Sequence, residues 1–219
     1  MELLPLKIDF HVHTCYSGDC STSLRDVISY SKKKGLDGVV ITDHNTVEGA
    51  LKLQKKSDNE IIIIPGIEVS TNAGHILGIN VTTPIPRGLT IKETVEKIHE
   101  AGGIAVAAHP SAIYKSGVRL NKKIISQGID AIEVINSSVF PFFLINSRSR
   151  KFACRAKMPQ TGGSDSHIPE TIGLAYTMIS GVDVNSEIEE IICAVKRGWS
   201  IPRGKPVPWK IRLRQIFRK

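Results

Sequence analysis

The chain of 219 residues is long enough to bury the core of one domain, and its composition, 41% hydrophobic and 23% charged, argues against extended disorder. No apolar run approaches the roughly 20 residues needed to cross a membrane, and the N-terminus lacks the basic and apolar regions of a secretion signal. The four cysteines show no paired metal-binding spacing, so we expect free thiols in a reduced, cytoplasmic protein.

The net charge of +8 is concentrated at the C-terminus. Nine of the 29 Lys and Arg residues lie between Lys196 and Lys219, a stretch that contains no acid. The rest of the chain is therefore nearly neutral, and the basic character belongs to the tail rather than to the whole surface.

Strand and helix patterns alternate along nearly the whole chain. Continuous apolar runs predict strands over Leu6–Phe10, Gly38–Thr42, Glu60–Ile64, Gly74–Ile79, Ile104–Ala108, Ala131–Ile135 and Ile172–Ile179. Amphipathic periodicity predicts helices over Leu24–Lys34, Val47–Lys56, Ile91–Ala101, Lys122–Gln127, Phe142–Ala156 and Ser186–Lys196. Apolar strands separated by helices are typical of a parallel sheet covered on both faces, and about seven such units favour a closed (β/α) barrel over an open sheet.

We expect one barrel domain over residues 1–204 and a basic C-terminal tail over residues 205–219. In the tail, Pro206 and Pro208 break the chain. Apolar residues then follow at helical spacing with bases on the other faces: Trp209, Leu213, Ile216 and Phe217, with Lys210, Arg212, Arg214, Arg218 and Lys219. Such a helix could pack on the barrel, contact RNA through its bases and Trp209, or lie on a membrane surface.

Polar residues that suit a metal site gather at the ends of the predicted strands. His11 and His13 lie two apart where the first strand stops, so their imidazoles point to one side. The ends of parallel strands converge on one face of a barrel, where active sites are built. The ligand candidates are six imidazoles and three carboxylates: His11, His13, Asp19, His44, Glu68, His75, His109, Asp165 and His167.

Nine candidate ligands are too many for one ion, so we expect two or three divalent ions. The mixture of nitrogen and oxygen donors favours Zn, Mn or Fe over Ca or Mg. Three dications balanced by three carboxylates leave a positive site, which suits an anionic substrate such as a phosphate.

Six motifs occur in order: His11-x-His13-Thr14, Thr42-Asp43-His44-Asn45, Gly66-Ile67-Glu68-Val69, Gly74-His75, Ala108-His109-Pro110 and Gly163-Ser164-Asp165-Ser166-His167. Together they resemble the PHP (polymerase and histidinol phosphatase) family of metal-dependent phosphoesterases, over roughly Ile8 to Arg203. The resemblance implies a distorted (β/α)7, TIM-like barrel with a trinuclear metal centre. Many members carry Ser-Asp-Gly after the first motif, whereas this chain has Ser17-Gly18-Asp19, so Asp19 is either a displaced ligand or a turn-former.

The resemblance also implies how the ligands divide among the ions. One ion is assigned to His11, His13, Glu68 and Asp165, and a second to Asp19, His44 and His167. The third is assigned to Glu68, His75 and His109, so that Glu68 bridges.

The mechanism expected for such a centre is attack by a metal-activated hydroxide, held by the ligands of the first ion. Asp43, Glu133 and Asn136 are candidates for orienting the ligands, although Glu133 could instead be a buried paired residue. Arg119, Arg148, Arg150 and Arg203 are candidates for binding substrate phosphate, or are ordinary surface bases.

A metal-dependent phosphoesterase acting on nucleotides or short oligonucleotides is the leading hypothesis, because the chain has no large insertion to cap the site and carries a basic tail. Histidinol phosphate is the alternative substrate. An amidohydrolase also places His-x-His after its first strand, but here a Glu rather than a Lys occupies the bridging position. A non-catalytic RNA-binding barrel is the third alternative, although such a barrel would be expected to have lost ligands.

Overall fold

The computed structural model describes residues 4–56, 61–112, 114 and 116–216. Glu60, predicted to start a strand, and Phe217, Arg218 and Lys219 of the tail lie outside the described residues. The strands are β1 Leu6–Val12, β2 Gly38–Ile41, β3 Ile62–Thr71, β4 Gly74–Ile79, β5 Ile104–Ala107, β6 Ala131–Asn136, β7 Gln160–Gly163, β8 Ala175–Ile179 and β9 Ser200–Gly204. The helices are α1 Leu24–Lys33, α2 Glu48–Lys56, α3 Ile91–Glu100, α4 Lys122–Ser126, α5 Phe142–Ala156, α6 Ile188–Lys196 and α7 Trp209–Ile216.

The strands form one sheet in the order β7-β6-β5-β4-β3-β2-β1-β8-β9, curved into a nearly closed barrel. The predicted barrel of mixed α/β class is confirmed. The expectation of a purely parallel sheet is wrong: β3, β4 and β5 pair antiparallel, as do β1, β8 and β9. Asn72 and Ala73 alone separate β3 from β4, and a connection this short can only join antiparallel strands.

The barrel closes between β1 and the segment that follows β7. The backbone N–H of Asp165 donates to the carbonyl of His11 at 2.8 Å, and that of His13 donates to the carbonyl of Ser166 at 3.1 Å. A Cβ atom on Gly163 would collide with His11, so only glycine permits this approach. The glycine-rich strand β7 therefore brings Asp165 beside the end of β1.

Helices cover the outside and one end of the barrel. Ser23 caps α1, accepting the backbone N–H of Asp26 at 3.1 Å. At the end of the barrel where β1 begins, Ile191 and Val195 of α6 share a buried apolar cluster with Leu6 and Ile8. Among the described residues, none of the helices combines the length and the hydropathy that a membrane crossing requires.

Candidate metal centre

The end of β1 is held in place by Asp9, which is not among the predicted site residues. Its buried carboxylate accepts the backbone N–H groups of Ser164 at 2.8 Å, Gly173 at 2.9 Å and His11 at 3.2 Å. Burial raises the pKa of Asp9 to about 6, against the lowering effect of these donors. Asp9 thus fixes the strand end that carries the two histidines against the segment beyond β7.

Glu68 lies at the centre of the predicted ligands and is fully buried. Its Oε2 lies 3.4 Å from Nε2 of His11, 3.3 Å from Nε2 of His13 and 3.1 Å from Nδ1 of His44. Its other oxygen, Oε1, lies 2.9 Å from Nδ1 of His75 and 2.9 Å from Nε2 of His109. One carboxylate therefore faces five imidazoles, which is the geometry of a bridging ligand.

Asp165 completes a group of four donors with His11, His13 and Glu68. The Nε2 atoms of His11 and His13 are 3.1 Å apart, and Oδ1 of Asp165 lies 3.7 Å and 3.5 Å from them. Donors placed about 2.1 Å from one ion at tetrahedral angles lie about 3.4 Å from each other. The observed separations bracket this value, so His11, His13 and Asp165 fit one metal ion, and Oε2 of Glu68 lies beside both imidazoles.

Asp19 contributes at the edge of the centre. Its Oδ2 lies 3.4 Å from Nε2 of His44 and 3.3 Å from Nε2 of His167. Burial would raise the pKa of Asp19, but hydrogen bonds and charge interactions with His167 and His44 hold it well below its usual range. The shifted spacing of Ser17-Gly18-Asp19 thus still brings this carboxylate to the predicted histidines.

The electrostatics of the buried donors indicate that a cation belongs among them. Burial would lower the pKa of His11, but the carboxylates of Glu133, Glu68 and Asp165 outweigh it and raise that pKa well above its usual value. Within the described residues, Oε2 of Glu68 and Nδ1 of His44 are buried without a hydrogen-bond partner, although nitrogen atoms surround that oxygen. Buried lone pairs that face each other unpaired are what a metal ion would satisfy.

Glu133 and Asn136, two of the three orienting candidates, contact predicted ligands on the side away from the cleft. Oε1 of Glu133 is 3.0 Å from Nδ1 of His11, and its Oε2 accepts the backbone N–H of His109 at 2.6 Å. The amide Nδ2 of Asn136 lies 3.0 Å from Oε2 of Glu133 and 3.3 Å from Oδ2 of Asp165. With its Nδ1–H donated to Glu133, His11 presents the lone pair of Nε2 to the centre.

Asp43, the third orienting candidate, holds the loop after β1 instead of touching a ligand imidazole. Its carboxylate accepts the backbone N–H of Thr14 at 2.6 Å and the Thr14 hydroxyl at 2.7 Å. Its own carbonyl accepts the backbone N–H of Glu68 at 3.1 Å. Burial raises the pKa of Asp43. Asp43 therefore ties the loop that leads to Asp19 to the strand that carries Glu68.

The centre lies at the bottom of an open cleft of about 820 Å³. Ligand side chains line it together with residues of the surrounding loops, which include Cys20, Tyr114, Ser116, Ser138 and Ile168. None of the four predicted phosphate-binding arginines is among these lining residues. Arg150 and Arg203 line a separate cleft of about 330 Å³ between α5 and β9, and Arg119 and Arg148 are exposed.

Comparison with known proteins connects this centre to one family. The model of the PHP domain matches residues 9–101, and a PHP-associated model matches residues 144–199. An uncharacterised protein of Methanocaldococcus jannaschii is 40% identical over 146 residues, covering 60% of this chain and 82% of the relative. A second uncharacterised protein of that organism is 28% identical over 189 residues, covering 82% of this chain and 73% of the relative.

The fold also matches a solved structure. It is the crystal structure of a two-domain protein from Bacteroides vulgatus that contains a predicted PHP-like metal-dependent phosphoesterase. The TM-score is 0.77 at 17% identity, and the match covers 100% of this chain and 73% of the other. At 17% identity, this similarity shows that the two proteins share the barrel fold.

Proposed function

The chain belongs to the PHP family of metal-dependent phosphoesterases, and from that premise we propose that it hydrolyses phosphate esters of nucleotides or short oligonucleotides. The observation that carries this proposal is the position of Glu68, with two carboxylate oxygens facing five imidazoles under an open cleft. We also propose that residues 1–204 form the catalytic unit and 205–219 an appended tail. Four free thiols favour a reducing, cytoplasmic location.

Three groups of residues would hold two or three divalent ions. His11, His13 and Asp165 would form the buried group. Oε2 of Glu68, 3.4 Å and 3.3 Å from the two histidine Nε2 atoms, would add a fourth donor. Oε1 of Glu68 with His75 and His109 would form a second group, and Asp19 with His44 and His167 a third at the cleft edge. The nitrogen and oxygen donors suit Zn, Mn or Fe. When bound, such ions lower the pKa of a water molecule towards neutrality and offset the charge of a phosphoryl group.

The chain's own residues would prepare this chemistry by position and charge. Glu133 keeps Nε2 of His11 directed inward, and Asn136 orients the carboxylate of Asp165. Because the inner side chains are fully buried, they act in a low dielectric, where charges interact strongly. Since no arginine of the described residues lines the cleft, the substrate phosphate would be neutralised by the ions of the centre.

The direct test compares substrates and metals on the purified protein. We expect turnover of nucleotide or oligonucleotide phosphate esters with Mn, Zn or Fe, and no turnover of amide substrates. Histidinol phosphate enters the same panel, because a preference for it would select the alternative substrate. A protein that cleaves amides and spares esters would refute the phosphoesterase proposal.

The variant that tests the centre itself is His11→Ala. It should abolish turnover and lower the bound metal, measured by mass spectrometry after desalting. His99→Ala is the matched control, since His99 is partly exposed on α3 and pairs with Asp130 at 2.7 Å, away from the cleft. Full metal content together with undiminished turnover in His11→Ala would end the proposed mechanism.

A further inference from the structure

The basic helix α7 is attached to the rim of the metal cleft. Both Nη atoms of Arg212 donate to the carbonyl of Ser138 at 3.3 Å, and Ser138 lines the cleft. Arg214 pairs with Glu170 at 2.6 Å, two residues beyond Ile168, which also lines the cleft. The tail therefore places its positive charge beside the opening through which a substrate enters.

Exposed aromatic rings continue from the cleft to this helix. Trp209 is 63% exposed and Phe140 is 48% exposed, and their rings lie 5.5 Å apart at an angle of 71°. The Arg212 guanidinium lies 5.5 Å from the Phe140 ring. The backbone N–H of Phe140 donates to the hydroxyl of Tyr114, which is 60% exposed and lines the cleft. We call Tyr114, Phe140, Trp209 and Arg212 the rim platform.

Helix α7 and the segment before it carry exposed positive charge next to the rim platform. The chain from Lys196 to its end contains no acid, and Lys205 just before α7 and Lys210 within it are exposed. Flat rings flanked by cations suit a ligand that offers ring faces and negative charge in alternation. A single-stranded nucleic acid has this chemistry, with bases to stack and phosphates to pair. An acidic peptide would supply the charge without the stacking.

We propose that the rim platform binds the bases of a single-stranded nucleic acid whose phosphate ester lies in the metal cleft. This inference rests on the proposed function and narrows it, because it makes a short strand a better substrate than a mononucleotide. The base next to the cleft would meet Tyr114 and Phe140, and the next base would meet Trp209. Lys210 would lie near the phosphates.

The test uses the full-length protein with Mn and a fluorescein-labelled, single-stranded hexanucleotide whose linkages are phosphorothioates. Trp209→Ala should raise the Kd of the hexanucleotide about 10- to 100-fold, since base stacking contributes at this level. The ratio of kcat/KM for an unmodified hexanucleotide to that for a mononucleotide should fall to a similar degree. Trp209→Phe, which keeps a stacking ring, should restore most of the hexanucleotide affinity and most of the kcat/KM ratio.

The chain offers a matched control in Trp199. It is 48% exposed and lies 5.1 Å under the guanidinium of Arg197. Its carbonyl accepts the backbone N–H of Ser180 at 3.0 Å, next to Ile179, which pairs with the first residue of β1 at the far end of the barrel. Trp199→Ala removes the same side chain from a similar setting and should leave hexanucleotide affinity unchanged. Thermal denaturation of each variant verifies folding.

Each outcome separates the platform from the catalytic proposal. Weaker hexanucleotide binding in Trp209→Ala supports the platform even if the wild type hydrolyses no phosphate ester, in which case the function proposal alone fails. Equal binding by Trp209→Ala and wild type overturns the platform, even if phosphate esters are hydrolysed. Loss of binding to vesicles of anionic lipid in Trp209→Ala, with hexanucleotide affinity unchanged, would assign the helix to a membrane surface and also overturn it.

Discussion

The buried half of the metal centre differs from its edge in both packing and support. His11, His13 and Glu68 are fully buried, and Glu133 and Asn136 hold the inner ligands through hydrogen bonds. At the edge, the side chains of His44 and His167 are each 23% exposed and that of Asp19 is 52% exposed. Water cannot reach the buried side chains to take the place of one that is removed, whereas water can replace a ligand at the exposed edge. We therefore expect the inner half to determine whether the centre forms, and the edge to determine how tightly its outer ion is held.

Glu133→Gln should have the largest effect of the three predictions that follow. Glu133 accepts from three donors, namely Nδ1 of His11, the backbone N–H of His109 and the amide of Asn136. A glutamine has one oxygen, so at least one donor would face an NH₂ group inside the barrel. We expect metal affinity to fall 10- to 100-fold, the range typical for residues that orient ligands, with kcat/KM falling in parallel.

Competition with a graded metal chelator measures the affinity of Glu133→Gln. Glu96→Gln serves as its control, because Glu96 is exposed on α3 and pairs with Lys92 at 3.7 Å. If Glu133→Gln kept wild-type metal affinity, the buried support would not set the strength of the centre, and the distinction between the two halves would be lost.

Asp19→Asn tests the edge and should have a smaller, reversible effect. The variant removes a charged oxygen that lies 3.4 Å and 3.3 Å from two imidazoles, but solvent can reach the position. We expect about a tenfold loss of activity at limiting metal, and recovery towards wild type as Mn or Zn is added in excess. Activity titrated against free metal checks this. A loss that excess metal does not reverse would place Asp19 with the inner ligands.

That these side chains gather at one place could be predicted from the sequence, because the signal is positional. Polar residues that follow buried apolar runs lie at strand ends, and barrel geometry brings strand ends together. All nine candidate ligands, from His11 to His167, accordingly lie at one mouth of the barrel. This positional pattern reveals neither the direction of the strands nor the closure of the barrel between β1 and the segment after β7. The hydrophobic pattern is the same for a parallel and an antiparallel strand.

The features that the sequence analysis missed depend on contacts between distant segments. β7 has the sequence Gln-Thr-Gly-Gly and no apolar run, and it is a strand because it pairs with β6 and its continuation bonds to β1. Asp9 fixes the end of β1 because the backbone N–H groups of Ser164 and Gly173, more than 150 residues away in the chain, donate to its carboxylate. The pattern also could not tell that Arg150 and Arg203 face a separate cleft, since an exposed base is compatible with any surface.

Ser17→Ala addresses a hydroxyl that joins the two halves, and should have the smallest effect. Oγ of Ser17 lies 3.0 Å from Nδ1 of the inner His13 and accepts the backbone N–H of the edge residue His44 at 3.1 Å. Alanine would leave both donors without this acceptor, but Ser17 is only half-buried, so water can take its place.

We therefore expect Ser17→Ala to lower kcat/KM by about three- to tenfold. Ser23→Ala is the matched control, because it removes the cap of α1, at a cost of about 1 kcal/mol of stability, and leaves the centre intact. A chelator that removes the outer ion should make the kcat/KM values of Ser17→Ala and wild type equal only if the hydroxyl acts through His44. If the difference persists, the hydroxyl acts through His13, and the inner half of the centre extends as far as the loop after β1.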